Sequence, residues 1–263
     1  MKYYKLDKDV KQYLKRMNTD GIKTPADIYS VNDFVVGLKD LNLWQNIIDC
    51  WLMRKLQNAG SGTKMYALKY NINNGTMVNT TNTSWDDAGF VKNAVNQYII
   101  IPKNITGGNI QRSMIAIARR STAQNVALSY GNLSTTRFAL KTEISSDRVS
   151  LDAFNGSTND NFGITNANGI FNQIAASYDT RTLLFKMNNA AATTSTISMS
   201  FAQNASAIIF GGWQESNISS GLSTTPFGLI SDTAFTSSEI DLFYNLYKST
   251  IGKGLNLPWN IIN

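Results

Sequence analysis

The sequence contains no histidine and a single cysteine, Cys50, in 263 residues. Without histidine a Ser-His-Asp triad is impossible, and the commonest general base and zinc ligand of proteins are both missing. A lone cysteine excludes an intramolecular disulfide framework, so the chain needs no oxidising compartment. We therefore expect Cys50 to be a small buried side chain and expect no cofactor, while metal binding stays open.

Glutamate is scarce, and Glu143, Glu215 and Glu239 are the only examples. Many glycosidases work with paired carboxylates, which glucanases carry as Glu-x-Asp-x-x-Glu on one strand. Glu239-Ile-Asp241 matches only the first half, because Tyr244 stands where the final glutamate would be. The segment also has a helical pattern, in which residues two apart point in divergent directions. The sequence therefore predicts a protein without enzymatic activity.

No stretch approaches the ~20 apolar residues of a membrane-spanning helix, and the N-terminus lacks the apolar run of a secretion signal. These absences predict a protein made in a cytoplasm and not inserted in a membrane. The net charge is +6, and its cationic side chains are scattered except at the N-terminus. Nucleic acid is therefore not an expected partner.

Residues 1–48 have a helical pattern. Asp7 can cap a first helix, Thr24-Pro25 begins a second, and Ser30 offers a third start; Trp44, Ile47 and Ile48 complete the apolar set. Helices this short cannot form a core alone, so we expect them to pack on the following domain, on a partner chain, or on both.

Lysines make the first helix positive. Such a run is a solvated face in one interpretation. In the other it is an assembly arm that docks on an acidic surface of a larger particle, where charge complementarity sets the register. The residues assigned to the assembly arm are Lys5, Lys8, Val10, Lys11, Tyr13, Leu14, Lys15 and Met17.

From Trp51 onward the apolar period becomes two. Glycine, asparagine, aspartate and serine clusters separate the strand candidates, while Asp160 is assigned to a loop tip and Asp179-Thr180 to a hairpin turn. Short strands at this spacing specify an antiparallel sandwich or barrel. The candidates are residues 65–70, 97–101, 113–119, 125–130, 137–142, 148–154, 171–178, 182–187, 196–201, 206–213 and 227–235.

The C-terminal part ends in a helix. Thr236-Ser-Ser-Glu239 forms a capping box, in which each side chain accepts from the other residue's amide. Gly252 provides a stop. The apolar stripe that this helix must bury consists of Ile240, Phe243, Tyr244, Tyr247 and Ile251.

This order of strand, strand and capped helix resembles the end of laminin-G-like, concanavalin-A-like jelly rolls. Gln57-Asn-Ala-Gly-Ser-Gly62, Asn74-Gly-Thr-Met77 and Trp85 resemble the opening of the version found in bacteriophage virion proteins. The resemblance implies a mainly β fold: a concanavalin-A-like antiparallel β-sandwich over residues 49–263, preceded by a helical attachment and oligomerisation region, 1–48, and closed by a C-terminal helix.

The same resemblance implies a non-enzymatic virion structural protein, such as a spike, head fibre or tail adhesin, made in the bacterial host cytoplasm. Capsid or tail proteins would be its partners, and it would form a homo-oligomer, a trimer by analogy with viral spikes. Two alternatives remain. One is a carbohydrate-binding or carbohydrate-degrading, lectin-like domain of a cellular polysaccharide system, and the other is an architectural capsid subunit without a ligand.

Host surface glycans are the expected small ligands, because sugar sites combine an aromatic ring with acidic or amide oxygens on loops. Two loops have this composition, and in each the tryptophan could instead belong to the core. The candidate glycan-binding residues are Trp213, Glu215 and Asn217 in one loop and Trp85, Asp86 and Asp87 in the other.

Overall fold

The computed structural model describes residues 5–17, 24–55, 57, 63–70, 73–79, 85–94, 97–101, 108–120, 125–131, 137–143, 148–154, 159–165, 170–199, 208–214, 217–218 and 223–257. The helices are α1 (Lys8–Met17), α2 (Pro25–Asp40) and α3 (Ser237–Ser249), and a 3-10 turn spans Trp44–Asn46. None of the helices described is long and apolar enough to cross a membrane. The strands are β1 (Ile47–Leu52), β2 (Lys64–Met65), β3 (Gly75–Val78), β4 (Trp85–Asp86), β5 (Gly89–Lys92), β6 (Tyr98–Ile101), β7 (Arg112–Arg120), β8 (Asn125–Gly131), β9 (Arg137–Glu143), β10 (Arg148–Phe154), β11 (Asn159–Thr165), β12 (Asn172–Tyr178), β13 (Thr182–Met187), β14 (Thr193–Thr196), β15 (Ile208–Phe210), β16 (Gly212–Gln214), β17 (Asn217–Ile218) and β18 (Ser223–Ser231).

Two antiparallel sheets of eight strands make up the sandwich. Sheet A has the order β14-β13-β12-β7-β18-β5-β4, with β1 also paired to β18. Sheet B has the order β11-β10-β9-β8-β15-β6-β3-β2, and β16 and β17 form a small separate ribbon. The mainly β, antiparallel sandwich with N-terminal helices and a closing helix, as the sequence predicted, is confirmed.

Sheet A is buried on both faces. On β7, Met114 and Ala116 belong to the inner core between the sheets, whereas Ile115 and Ile117 belong to an outer core shared with the helices. Because strand side chains alternate between faces, the molecule has three layers: sheet B, sheet A and the helices.

β18 is the central strand of this arrangement, and all nine of its residues are buried. It pairs with β7 along one side, while β5 and β1 share the other side. At Gly228 the Phe210 ring from sheet B occupies the place that a Cβ would take. Phe210 also packs edge-on against Trp51, with ring centroids 5.7 Å apart. This close approach locks the two sheets together.

The apolar side of α1 faces the sandwich. Val10, Tyr13 and Met17 are at most 1% exposed and lie in the outer core. The Tyr13 hydroxyl donates to the Gln57 carbonyl oxygen, and Lys39 of α2 forms ion pairs of 2.7 Å with Asp7 and Asp9. Of the alternatives left open by the sequence, packing on the following domain is therefore realised.

The lysines of the assembly arm point away from this contact. Lys5, Lys8, Lys11 and Lys15 are exposed, while Leu14 is half-buried against the outer core. The apolar residues assigned to the arm are thus covered by the chain itself, and the exposed charge is what α1 offers to a partner.

α2 and α3 pack together over β18. α2 is one helix, capped by the Thr24 hydroxyl with Pro25 in its first turn, and it runs through the third predicted start at Ser30. α3 has the predicted capping box between Thr236 and Glu239. Its predicted stripe is buried throughout: Ile240, Phe243, Tyr244, Tyr247 and Ile251.

Besides the helix start at Ser30, several local predictions are wrong. The strand predicted at 206–213 is interrupted at Gly211, and the one predicted at 227–235 ends at Ser231. Ile47 and Ile48, assigned to the helical region, begin β1, whose pairing with β18 spans the proposed boundary at residue 48. Asp160 lies in β11, paired with Ala153, and not at a loop tip. The strand predicted at 196–201 ends at Thr196. The one predicted at 65–70 ends at Met65.

Candidate functional site

The loop with Trp213 is a β-hairpin that leaves the sandwich at Gly211. Gly211 has φ +84°, a left-handed conformation that glycine adopts readily. β16 then carries Trp213 and pairs with β17, with Gln214 opposite Asn217. Trp213 and Asn217, which the sequence assigns to one loop, therefore lie on the two strands of one short hairpin; Glu215 lies outside the described residues.

The base of this hairpin is fixed by two polar side chains. Lys92 Nζ of β5 donates to the Gly211 carbonyl oxygen at 2.7 Å, and Ser129 Oγ of β8 donates to that of Gly212 at 2.7 Å. Lys92 is 1% exposed, and burial lowers its pKa to about 8. Because β5 belongs to sheet A and β8 to sheet B, both sheets position the hairpin. No motif marked Lys92 in the sequence.

The second candidate glycan-binding loop, which contains Trp85, Asp86 and Asp87, is built differently. Trp85 is 4% exposed and lies in the inner core, so its ring presents no open face to a sugar. The Asp86 carboxylate accepts from the amides of Ala88 and Gly89 at 2.7 and 2.9 Å, which shapes the β4–β5 turn. Asp87 is exposed, and its carbonyl oxygen accepts from Arg54.

An open groove of about 300 Å³ lies between α1 and the segment after β2. We call it the cationic groove, since three of its side chains are basic. It is lined by Gln12, Lys15, Arg16, Lys69 and Tyr70.

The basic side chains of the cationic groove are held in different ways. Lys69 Nζ donates to three carbonyl oxygens, those of Trp44, Gln45 and Ile47, at 2.6–3.3 Å. Arg16 Nη2 donates to the carbonyl oxygens of Ala67 and Leu68 at 2.8 and 3.0 Å. Lys15 is exposed and is paired with no carboxylate that the structure describes.

Behind the cationic groove lies Asp49, which is fully buried. Its carboxylate accepts from the amides of Cys50, Lys69 and Tyr70 and from Asn73 Nδ2, at 2.7–3.0 Å. Burial raises the pKa of Asp49 to about 6, against the lowering effect of these hydrogen bonds. The carboxylate thus holds the wall formed by residues 69–70 in place.

The carboxylates of α3 have structural contacts. Glu239 accepts from the Thr236 amide at 2.7 Å, and Asp241 pairs with Lys186 at 2.9 Å. Among the residues described, no group of three or more cysteine and acidic side chains is placed to hold a metal ion.

Comparison with known proteins shows a fold relationship. No family model and no curated protein matches the chain in sequence. In structure it is similar to a Trypanosoma rangeli sialidase in complex with sialic acid, with a TM-score of 0.59, 11% identity and coverage of 79% of this chain and 34% of the sialidase. It is also similar to the botulinum neurotoxin serotype D ligand-binding domain in complex with N-acetylneuraminic acid, with a TM-score of 0.58, 11% identity and coverage of 80% and 52%.

A mutant of the T. rangeli sialidase displaying trans-sialidase activity is similar as well, with a TM-score of 0.59, 12% identity and coverage of 86% of this chain and 40% of that chain. The chain thus spans between a third and about half of the structures it matches. At this identity the likeness defines the fold: a β-sandwich of the lectin-like kind that sialidases and neurotoxin binding domains share.

One prediction from the sequence is contradicted by this comparison. The chain was expected not to be an enzyme, yet sialidases are among the solved structures with this fold. The expectation rested on missing histidine and on the paired carboxylates of glucanases. Sialidases are an exception to the paired-carboxylate rule, since they use a tyrosine nucleophile, so that criterion did not cover them.

Proposed function

We propose that this chain is a glycan-binding β-sandwich module. The observation that carries the proposal is the fold match, because 80% of the chain superimposes on a neurotoxin ligand-binding domain solved with N-acetylneuraminic acid. A sialidase with sialic acid has the same fold over 79% of the chain. Function does not follow from fold alone, so the proposal needs a site and a binding test.

The Trp213 hairpin is one candidate contact in this proposal. Its root at Gly211 is held by Lys92 and Ser129, and a rigid root lowers the entropy cost of binding. Trp213 and Asn217 lie on adjacent strands of the hairpin. Tryptophan and asparagine are residue types that stack on a sugar ring and bond its hydroxyls.

A glycan array followed by titration calorimetry tests the proposal. We expect the native protein to bind at least one glycan, and Trp213→Ala to weaken that binding about tenfold or more, as loss of a central tryptophan contact does. Tyr29→Ala is the control, since it removes an exposed aromatic ring of α2, outside the hairpin. A native protein that binds no glycan would refute the proposal.

We further propose a virion role, with α1 docking the module on a particle as part of a homo-oligomer. The supporting observation is that Lys5, Lys8 and Lys11 are exposed while the opposite side of α1 is buried. Charge complementarity speeds encounter and sets register.

Charge reversal is the cleaner test of this role, because deleting α1 would also expose the outer core. Lys8→Glu with Lys11→Glu should abolish incorporation into particles while leaving the melting temperature nearly unchanged. Light scattering on the native protein should give an oligomeric mass, a trimer by the spike analogy. Monomeric mass together with normal incorporation of the variant would contradict this role, and incorporation without any glycan binding would favour the architectural subunit.

A further inference from the structure

We infer that the cationic groove binds a carboxylate-bearing sugar, such as a terminal sialic acid or a uronic acid. The inference deepens the proposed glycan binding and rests on it. It names the part of the surface, and it argues the chemical class of the sugar from the side chains of this chain.

Two basic groups of the groove have hydrogen-bond donors to offer an anion. Arg16 uses Nη2 for two carbonyl oxygens, and its Nε is buried without a partner, which leaves the two N–H groups of Nη1 for a ligand. Burial lowers the pKa of Arg16, and the Asp49 carboxylate opposes that shift; the guanidinium stays charged because its ordinary pKa is so high. With the Lys15 ammonium close by, a carboxylate can receive charge-assisted hydrogen bonds from both.

Lys69 adds positive charge to the groove and fixes its wall, but it has no N–H group left to donate to a ligand. Its three N–H groups are directed to backbone carbonyl oxygens, and its ammonium lies 5.4 Å from the Tyr70 ring centroid. The Tyr70 amide is held by Asp49. The ring of Tyr70 is therefore fixed at its base, yet the residue is 48% exposed.

Size and charge favour one acidic sugar ring. A volume of about 300 Å³ is at the lower end for small-ligand sites. Arg16 and Lys69 both lie in the field of the Asp49 and Asp9 carboxylates, so the excess positive charge of the groove is small and suits a single carboxylate. Tyr70 can cover the apolar face of a sugar ring, and the Gln12 amide can bond its hydroxyl groups.

The test compares acidic and neutral sugars on the full chain. Binding of sialyllactose, glucuronic acid and lactose is measured by titration calorimetry or saturation-transfer NMR. We expect both acids to bind more tightly than lactose, with the preference falling as salt is added. The difference between the acids tells which source of carboxylate the groove prefers.

Lys15→Gln and Tyr70→Ala should each weaken binding of the acid about tenfold, the effect of losing one charge-assisted or ring contact. Lys11→Gln is the matched control, because it removes an exposed lysine one turn earlier on α1 that does not line the groove. We expect this variant to bind like the native protein. If Lys11→Gln and Lys15→Gln lost the same amount of sugar binding, the acid would be attracted by the general positive charge of α1 and not bound in the groove. That result would overturn the inference.

Two other outcomes separate this inference from the proposed function. Sialyllactose binding that survives Lys15→Gln and Tyr70→Ala but is lost in Trp213→Ala overturns the groove and leaves glycan binding in place. If the native protein binds no sugar, both fail. Binding of an acidic peptide at the groove, without any sugar, overturns the inference and assigns α1 to protein docking.

Discussion

Replacing Phe34 by alanine should destabilise the whole molecule and not the helices alone. Phe34 is fully buried where α2 crosses β18 and α3. Its ring packs edge-on against Phe227, Phe243 and Tyr247, with centroids 5.7, 5.8 and 6.4 Å away. One side chain therefore joins the N-terminal helices to the central strand and to the closing helix.

The expected loss of stability in Phe34→Ala follows from the burial of this ring. Truncating a fully buried phenylalanine costs about 3–5 kcal/mol, a large part of the ~5–15 kcal/mol by which domains are stable. At about 4 kcal/mol, the melting temperature of a chain of this size should fall by about 8–16 °C. Phe34→Leu keeps most of the volume and should cost about 1–2 kcal/mol.

Urea unfolding followed by two probes provides the assay. Far-UV circular dichroism reports the helices, and fluorescence measured in a Trp44→Phe background, which removes the tryptophan packed with the helices, includes Trp51 and Trp85 of the inner core. Both midpoints should shift together, because the outer core is continuous with sheet A. Leu242→Ala, at a 47% exposed position of α3, is the control and should change little. If Phe34→Ala shifted only the helical signal, residues 1–48 would be a separate folding unit and the reasoning would be refuted.

Three further predictions test the fold and the hairpin root. Thr236→Ala should cost about 1 kcal/mol in chemical denaturation through the lost cap, whereas Glu239→Gln should retain much of the stability; equal losses would contradict this account of the cap. Gly228→Ala should cost about 1–3 kcal/mol, since its Cβ would overlap the Phe210 ring, and an unchanged melting temperature would show that the sheets can move apart. Lys92→Met should remove a pH dependence. Because burial lowers the pKa of Lys92 to about 8, the unfolded chain binds more protons than the folded one between about pH 8 and 10, so the native protein gains stability over that window relative to the variant. If the difference in melting temperature between the native protein and Lys92→Met stayed constant from pH 7 to 10, the pKa of Lys92 would not be lowered by burial.

Much of the fold could be predicted where the signal is local. The strands around residues 148–154 and 182–187 occur with the predicted bounds, because short β-branched and apolar runs flanked by turn residues specify strands. At the turn between β12 and β13, the Asp179 carboxylate accepts from the amides of Arg181 and Thr182. Such side-chain bonds to nearby backbone are encoded by neighbouring residues alone.

The sites could be predicted only in part. Trp213 and Asn217 were placed together from their spacing, and the hairpin does bring their strands side by side. Trp85 has the same acidic neighbours in sequence, yet it is buried. Trp85 is buried because β4 packs against the inner core, which the composition of its loop does not indicate.

By itself, the sequence determined the closing helix, the period of the strands and the lack of histidine chemistry, because each depends on residue identity or on partners within a few positions. Tertiary structure decided the rest. Ile47–Leu52 is a strand because β18 is available to pair with it. The sequence does not reveal this strand, because an apolar run buried on both faces shows no alternation of apolar and polar residues. The cationic groove exists because α1 meets residues 69–70, more than fifty positions away along the chain. Contacts of that separation depend on the whole fold, which no local pattern encodes.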